Sequence, residues 1–270
     1  MTERMVGTFK AFYDFPGLGA PLLLLSVLIA VIFAAIWLSF YRPGFLRQPQ
    51  SWLIAITAAI LTWIAIAFIQ VPLQTWSQEL FINLLGTATF LDWLLLTGLP
   101  IVILSGLVQE TTKFIPVLVY WFTLHKRLDA RGGLIAGAIT GAGFGIFEAI
   151  WVHNTIFVSG WTWQAVQIGG YLALLGFWER LFAVGFHIAT AALSGYGLAT
   201  GRGWQFLLIS AGLHSLLNYS VLLISKGLIT AVQSEIIIAG LAIVTTLIVL
   251  NINRRLLKNS YSTTKQDVPL

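Results

Sequence analysis

Seven ionisable side chains lie inside strongly apolar stretches of this sequence, where a charge is costly and therefore informative. They are Glu110, Lys113, Glu148, Glu179, Arg180, His187 and His214. A charged side chain at the centre of a membrane helix costs roughly 2.5–3.5 kcal/mol on insertion scales. We therefore predict that these groups point inward and pair with one another, which makes them candidates for a functional site.

Helical spacing places three pairs of polar side chains on shared helix faces. With separations of three, seven and four residues, the pairs are Glu110 with Lys113, Arg180 with His187, and His214 with Asn218. Glu148 continues a stripe of glycines at every fourth position, Gly137, Gly141 and Gly145, which lets another helix approach closely. Four helices are thus expected to bring these groups towards one interior.

Such a set of side chains suits the attack of water on an acyl group. A carboxylate in a dry pocket can act as a general base. His187 and His214 with an amide can stabilise an oxyanion, whereas the same histidines with Glu148 can bind zinc. Spacing alone does not choose between these two arrangements.

The composition indicates a membrane protein. Of the 270 residues, 58% are hydrophobic and 9% are charged, whereas a soluble domain has about 25% charged residues. With about 20 residues for each crossing, this length allows six to eight spans. We predict an all-α, polytopic transmembrane helical bundle of about seven spans. The absence of cysteine excludes thiol catalysis, thiolate metal ligation and disulfides.

Seven apolar runs define the predicted spans. They are Leu18–Phe40, Ser51–Gln70, Trp93–Leu124, Leu134–Val158, Trp163–Thr200, Trp204–Ile224 and Ala231–Leu250. The third and fifth runs are too long for a plain crossing. Pro100 and Pro116 are predicted to kink the third run, and Gly169, Gly170 and Gly176 to loosen the fifth. The polar tail from 251 to 270 is predicted to be disordered.

The distribution of basic residues predicts the orientation. With seven spans, ten lysines and arginines fall on one side and three on the other. The positive-inside rule then places the N-terminus outside and the C-terminus in the cytoplasm. This split explains the net charge of +5 without nucleic acid. Residues 1–250 are interpreted as one transmembrane domain, with Val71–Asp92 either at the interface or forming an eighth crossing.

Four short motifs resemble those of the PrsW and YhfC branches of the intramembrane protease superfamily that includes the type II CAAX prenyl endopeptidases. In chain order, the matching segments are Gln109-Glu110-Thr111-Thr112-Lys113, Phe144-Gly145-Ile146-Phe147-Glu148, His187, and His214 with Asn218. The resemblance implies a catalytic-type core over about 94–224. One departure matters, because Gln109 stands where PrsW has its first glutamate.

The resemblance also implies roles and an environment. Glu110 would activate water, and His187 and His214 would stabilise the oxyanion or bind a metal such as zinc, together with Glu148. Asn218 would assist. The supporting residues would be Lys113, Glu179 and Arg180. The substrate would be a membrane-embedded or lipid-anchored polypeptide, and the setting a prokaryotic plasma membrane.

Two other functions stay open. Buried glutamate, histidine and arginine residues also build proton relays, so the chain could be a proton-coupled transporter. The glutamine at position 109 leaves room for a non-catalytic membrane binding protein. The histidines and asparagine outside the motifs, His125, His153 and Asn154, are predicted to lie at the membrane interface.

Overall fold

The computed structural model describes residues 13–42, 48–124 and 126–266, and within these ranges the chain is helical, with no β-strand. The seven long helices are α1 (Ala20–Ser39), α2 (Pro49–Leu85), α3 (Leu99–Thr123), α4 (Ala130–Val158), α5 (Leu175–Ala199), α6 (Gly203–Ser225) and α7 (Ala231–Gln266). Each belongs to a segment long and apolar enough to cross a membrane. The predicted all-α architecture with seven spans is therefore confirmed.

Bulky apolar side chains cover the outside of the bundle. Leu24 on α1, Leu53 on α2 and Val244 on α7 are each more than half exposed. A water-soluble monomer rarely exposes contiguous apolar surface on this scale. The helices therefore require a lipid bilayer around them.

The centre of the bundle is formed by α4 and α5, which are far more buried than the other helices. Their backbones touch along the predicted glycine stripe. A Cβ atom added at Gly141 would lie 2.7 Å from the carbonyl carbon of His187, and one at Gly145 would lie 3.2 Å from the Cα of Val184. Helices α1, α2 and α3 contact α4, and α3, α6 and α7 contact α5. The small residues thus fix the relative position of the two helices that carry Glu148 and His187.

Helix α2 is longer than the sequence predicted. The second span was expected to end at Gln70, but the helix passes through a π-helical turn at Ile66–Gln70 and continues to Leu85. Pro72 is the second residue after this turn and has no N–H to donate to the preceding turn. The π-helical turn shifts the hydrogen-bond register just before Pro72, so the helix continues. Two short helices, Thr87–Asp92 and Leu94–Thr97, complete the connection to α3.

The breaks in the third and fifth runs occur at glycines. In the fifth run a short helix, Trp163–Gly169, is followed by a 3-10 turn, Gly170–Leu174, before α5 begins, as the glycines predicted. Gly170 has a φ of +62°, which favours glycine. In the third run the helix is interrupted at Gly98, whereas α3 is continuous through Pro116.

Helix α7 is longer than the apolar run from which the seventh span was predicted. Helix α7 does not end at Leu250 but continues to Gln266, and residues 267–270 lie outside the described ranges. Ile252 and Leu256, one turn apart, pack against the core of α1, α4 and α5, and Asn253 is buried. These contacts continue the buried face of α7 beyond the apolar run, which hydropathy alone did not reveal.

Candidate functional site

Four helices bring the predicted ionisable groups together in the interior. Glu110 is fully buried on α3, and His187 and His214 are buried on α5 and α6. Glu148 on α4 contacts His187 through the imidazole Nε2. The close contact between α4 and α5 and the packing of α3 and α6 against α5 make this convergence possible.

One carboxylate oxygen of Glu110 is the centre of the first half of the site. Glu110 Oε1 accepts hydrogen bonds from Lys113 Nζ at 2.5 Å, from His214 Nδ1 at 2.7 Å and from Thr190 Oγ1 at 3.2 Å. The other oxygen, Oε2, is buried and has no hydrogen-bond partner in the described part of the chain. Charge-assisted hydrogen bonds of this kind are stronger than neutral ones, so they hold the carboxylate and the imidazole in a defined orientation.

Lys113 links Glu110 to the second histidine. Its Nζ lies 3.0 Å from Thr190 Oγ1 and 3.2 Å from His187 Nδ1, in addition to the contact with Glu110. A charged lysine has three donors and no acceptor. His187 Nδ1 must therefore accept, and the neutral imidazole carries its proton on Nε2.

The second half of the site is built around Glu148. His187 Nε2 lies 2.8 Å from Glu148 Oε2, and the tautomer set by Lys113 makes this nitrogen the donor. Arg180 Nη1 donates to the same oxygen at 2.8 Å. Arg180 also binds Glu179, through Nε at 2.6 Å and through Nη2. The three glutamates and two bases are thus paired, as the cost of burying charge requires.

The imidazole of His214 separates Glu110 from a cavity of about 250 Å³. Because Nδ1 donates to the carboxylate, the neutral ring has its lone pair on Nε2, and Nε2 makes no hydrogen bond within the described residues. Glu110 itself does not line the cavity. The lining residues are Glu148, Glu179, Arg180, Ala183, Phe186, His187, His214, Leu217, Asn218, Ser220, Val221, Ile224, Ser234, Glu235 and Ile238.

The cavity lies towards the end of the bundle at which α6 ends and α7 begins. Ser220 and Ile224 come from the last two turns of α6, and Ser234 and Glu235 from the first two turns of α7. Because successive spans alternate in direction, this is also the end at which α1 begins. In the orientation predicted from the basic residues, it is the outer side.

Uncharged polar side chains form a network beside Glu110. Asn218 Nδ2 donates to Ser105 Oγ at 2.9 Å and makes no hydrogen bond to Glu110 or to the histidines. Gln109 Nε2 donates to Gln70 Oε1 at 3.1 Å. Gln70 ends the π-helical turn of α2, and such turns are frequent at functional sites. The residue that departs from the PrsW pattern is thus held by a second glutamine.

Three of the buried residues can hold a metal ion. Glu110, His187 and His214 each offer a ligand atom, and these atoms lie within 4.8 Å of one another. This set differs from the sequence-based expectation, in which Glu148 joined the two histidines. Two histidines and a carboxylate are a common zinc ligand set. However, Lys113 Nζ already contacts Glu110 Oε1 and His187 Nδ1, so a metal bound through those two atoms requires the lysine to move away.

Sequence reasoning missed three residues that belong to this constellation. Thr190 lies one turn after His187 on the same face of α5, and Ser105 lies one turn before Gln109 on α3. Helical spacing from the motif residues could have found both. Gln70 had no such signal, because its contact joins residues 39 apart on two helices.

The histidine and asparagine near the end of α4, which were predicted at the membrane interface, are covered by neighbouring helices. His153 and Asn154 are buried between α4 and α1. Asn154 Oδ1 accepts a hydrogen bond of 2.7 Å from Ser26 Oγ, and His153 stacks on Phe177. Their position is explained by packing against α1 and α5, which apolar periodicity does not reveal. His125 lies outside the described residues.

No protein-family model matches the chain, and neither a curated protein nor a solved structure matches it. The chain is a seven-helix membrane bundle with a buried group of Glu110, His187 and His214.

Proposed function

We propose that this chain is an intramembrane endopeptidase of the PrsW and YhfC kind. It would hydrolyse peptide bonds in membrane-embedded or lipid-anchored proteins of the plasma membrane. The observation that carries the proposal is the pair of Glu110 and His214, in which a buried carboxylate orients the imidazole of a histidine that lines a cavity.

In this proposal His214 is the general base. A water molecule in the cavity gives its proton to Nε2 while its oxygen attacks the peptide carbonyl carbon, and the imidazolium then gives that proton to the leaving amine. Glu110 holds the ring in the required tautomer and stabilises its positive charge. This assignment differs from the role that the resemblance implies for Glu110, because the carboxylate lies behind the histidine and does not line the cavity.

The developing oxyanion would be stabilised by groups on the cavity wall. Asn218 uses one amide N–H to bind Ser105 and has a second one for the oxyanion. Arg180 supplies a positive charge on the same wall. His187 would act indirectly, because both of its nitrogens are engaged with Lys113 and Glu148 and hold those charges in place.

A zinc ion in the site would give a different mechanism. Bound by Glu110, His187 and His214, it would act as a Lewis acid and lower the pKa of a bound water. The position of Lys113 favours the metal-free reaction, since its ammonium already provides a positive charge among the same donor atoms. Metal analysis of the purified protein, with cleavage measured before and after chelation, separates the two mechanisms.

Proton-coupled transport is the second candidate function, and one observation favours it. A continuous chain of side chains joins Glu179 to His214 through contacts of 2.5–3.2 Å. Its members in order are Glu179, Arg180, Glu148, His187, Lys113, Glu110 and His214. Such chains relay protons in pumps and transporters.

The test is cleavage by the purified full-length chain in liposomes. Labelled single-span peptides and lipid-anchored peptides serve as candidate substrates, and wild type is compared with His214→Gln. His153→Gln is the matched control, because it removes a buried imidazole outside the cavity. We expect fragments from wild type and the control, and a loss of about 10²–10⁴-fold in His214→Gln. Equal cleavage by all three proteins, or pH-driven solute uptake without cleavage, would contradict the proposal.

A further inference from the structure

A second and larger cavity lies at the end of the bundle opposite the His214 site. Its volume is about 640 Å³, and it lies between the end of α1, the start of α4 and the last part of α7. The described residues that line it are Ser39, Phe40, Tyr41, Arg42, Arg131, Leu250, Asn253, Arg254 and Leu257. Neither the proposed hydrolysis nor the resemblance uses any of them.

The cavity is strongly positive. Arg42, Arg131 and Arg254 come from three separate parts of the chain, and each lines its wall. None of the three forms a salt bridge within 4.0 Å with a carboxylate in ranges 13–42, 48–124 and 126–266. No carboxylate is among the described lining residues. Three arginines therefore line one space, and none of them forms an ion pair with a carboxylate of the described residues.

Two side chains with N–H donors at this cavity make no hydrogen bond to a described residue. Asn253 is 5% exposed, and its amide N–H groups have no acceptor among those residues. The buried Nε of Arg131 is unpaired as well. A buried polar group without a partner is rare in native proteins and is destabilising. Their position on the wall of an electropositive cavity indicates a ligand that accepts hydrogen bonds.

We propose that this cavity binds a phosphate group. The planar guanidinium of arginine binds phosphate through two parallel hydrogen bonds, and three arginines line this space. The remaining wall is apolar, with Phe40, Leu250 and Leu257 beside the arginines. A phosphate with an apolar extension satisfies both surfaces. Arg42 lies three residues beyond the end of α1, at the level where a span meets the headgroups of the predicted cytoplasmic leaflet, which is rich in anionic lipids.

The phosphate could come from a lipid headgroup or from a soluble phosphate ester, and the experiment separates these sources. The full-length protein is equilibrated with equal amounts of phosphatidylglycerol and phosphatidylcholine, and the retained lipids are measured by native mass spectrometry. In parallel, thermal unfolding in detergent is followed with added phosphatidylglycerol, glycerol 3-phosphate or inorganic phosphate. A ligand that binds the folded state raises the melting temperature.

Adjacent arginines supply a matched pair of variants. Arg254 lines the cavity, whereas Arg255 is exposed and does not. Losing one guanidinium-to-phosphate contact should reduce retention of phosphatidylglycerol about tenfold in Arg254→Gln, and retention should be unchanged in Arg255→Gln. Asn253→Ala should also reduce it. Stabilisation by glycerol 3-phosphate alone would support the site with a soluble ligand. The proposal would be overturned if Arg254→Gln and Arg255→Gln lost phosphatidylglycerol retention equally. It would also be overturned if no phosphate compound raised the melting temperature.

Discussion

His214 donates its Nδ1–H to Glu110 across 2.7 Å, although the two residues are 104 positions apart and lie on different helices. Glu110 is completely buried and does not line the cavity, whereas His214 does. A carboxylate behind a histidine is a means of setting the tautomer and the orientation of a base.

Replacing Gly141 by alanine should disturb the site through the backbone. The added Cβ would lie 2.7 Å from the carbonyl carbon of His187, so α5 must move away from α4. Overpacking of this kind costs about 1–3 kcal/mol. We expect a lower melting temperature and slower cleavage. Gly212→Ala on α6 is the control, since a Cβ there meets nothing within 4 Å and alanine favours a helix. If Gly141→Ala has the same melting temperature and cleavage rate as this control, neither stability nor cleavage depends on the close contact of α4 and α5.

Removing the ammonium of Lys113 should destabilise the protein more than a surface change would. Lys113→Met leaves the buried Glu110 carboxylate without its cation, which costs about 3–5 kcal/mol when a buried pair is broken. Adding Glu110→Gln removes the uncompensated charge and should restore part of that stability. Thermal unfolding of the single and double variants tests this. A double variant that is less stable than Lys113→Met would argue against charge pairing as the reason for the lysine.

Asn218→Ala should lower kcat and leave KM nearly unchanged. The lost amide would act mainly on the oxyanion of the transition state, and the loss of one such donor costs about 10²–10³-fold in kcat. Tyr219→Phe is the neighbouring control, because its hydroxyl binds Leu95 and does not line the cavity. A rise in KM at constant kcat would instead indicate that Asn218 binds the substrate equally in ground and transition states.

The cavity should admit water-soluble reagents from one side of the membrane. The chain has no cysteine, so a single introduced thiol reports on its own position. Ile224→Cys on the cavity wall, at a position that is 38% exposed, should react with a charged thiol reagent, whereas Ala192→Cys in the core should not. In the predicted orientation, labelling occurs when the reagent is added outside intact cells. Labelling of Ile224→Cys only from the cytoplasmic side would reverse the topology.

The sequence predicted the elements of the fold and the members of the site better than their contacts. The pairing of Glu110 with Lys113 follows from a separation of three residues within one helix. The contact of His214 with Glu110 depends on how α6 packs against α3, and spacing within either helix carries no information about it. The same holds for Gln70, whose place next to Gln109 depends on a π-helical turn.

Boundaries were predicted less well where polar residues continue a buried face. The apolar run of the seventh span ends at Leu250, yet Ile252 and Leu256 still pack against the core. His153 and Asn154 are polar and lie near the end of a span, yet α1 covers them. In both places tertiary packing overrides a local pattern.

The most direct test of the central claim is a double-mutant cycle on cleavage by Glu110→Gln, His214→Gln and the double variant. If Glu110 acts by orienting His214, the double variant should be no slower than His214→Gln alone, because residues that act as a unit are strongly non-additive. Glu79→Gln, an exposed glutamate on α2, serves as the carboxylate control and should cleave like wild type. The account would be contradicted if the fold-losses in cleavage rate of the two single variants multiplied in the double variant. Full cleavage activity in His214→Gln would contradict it as well.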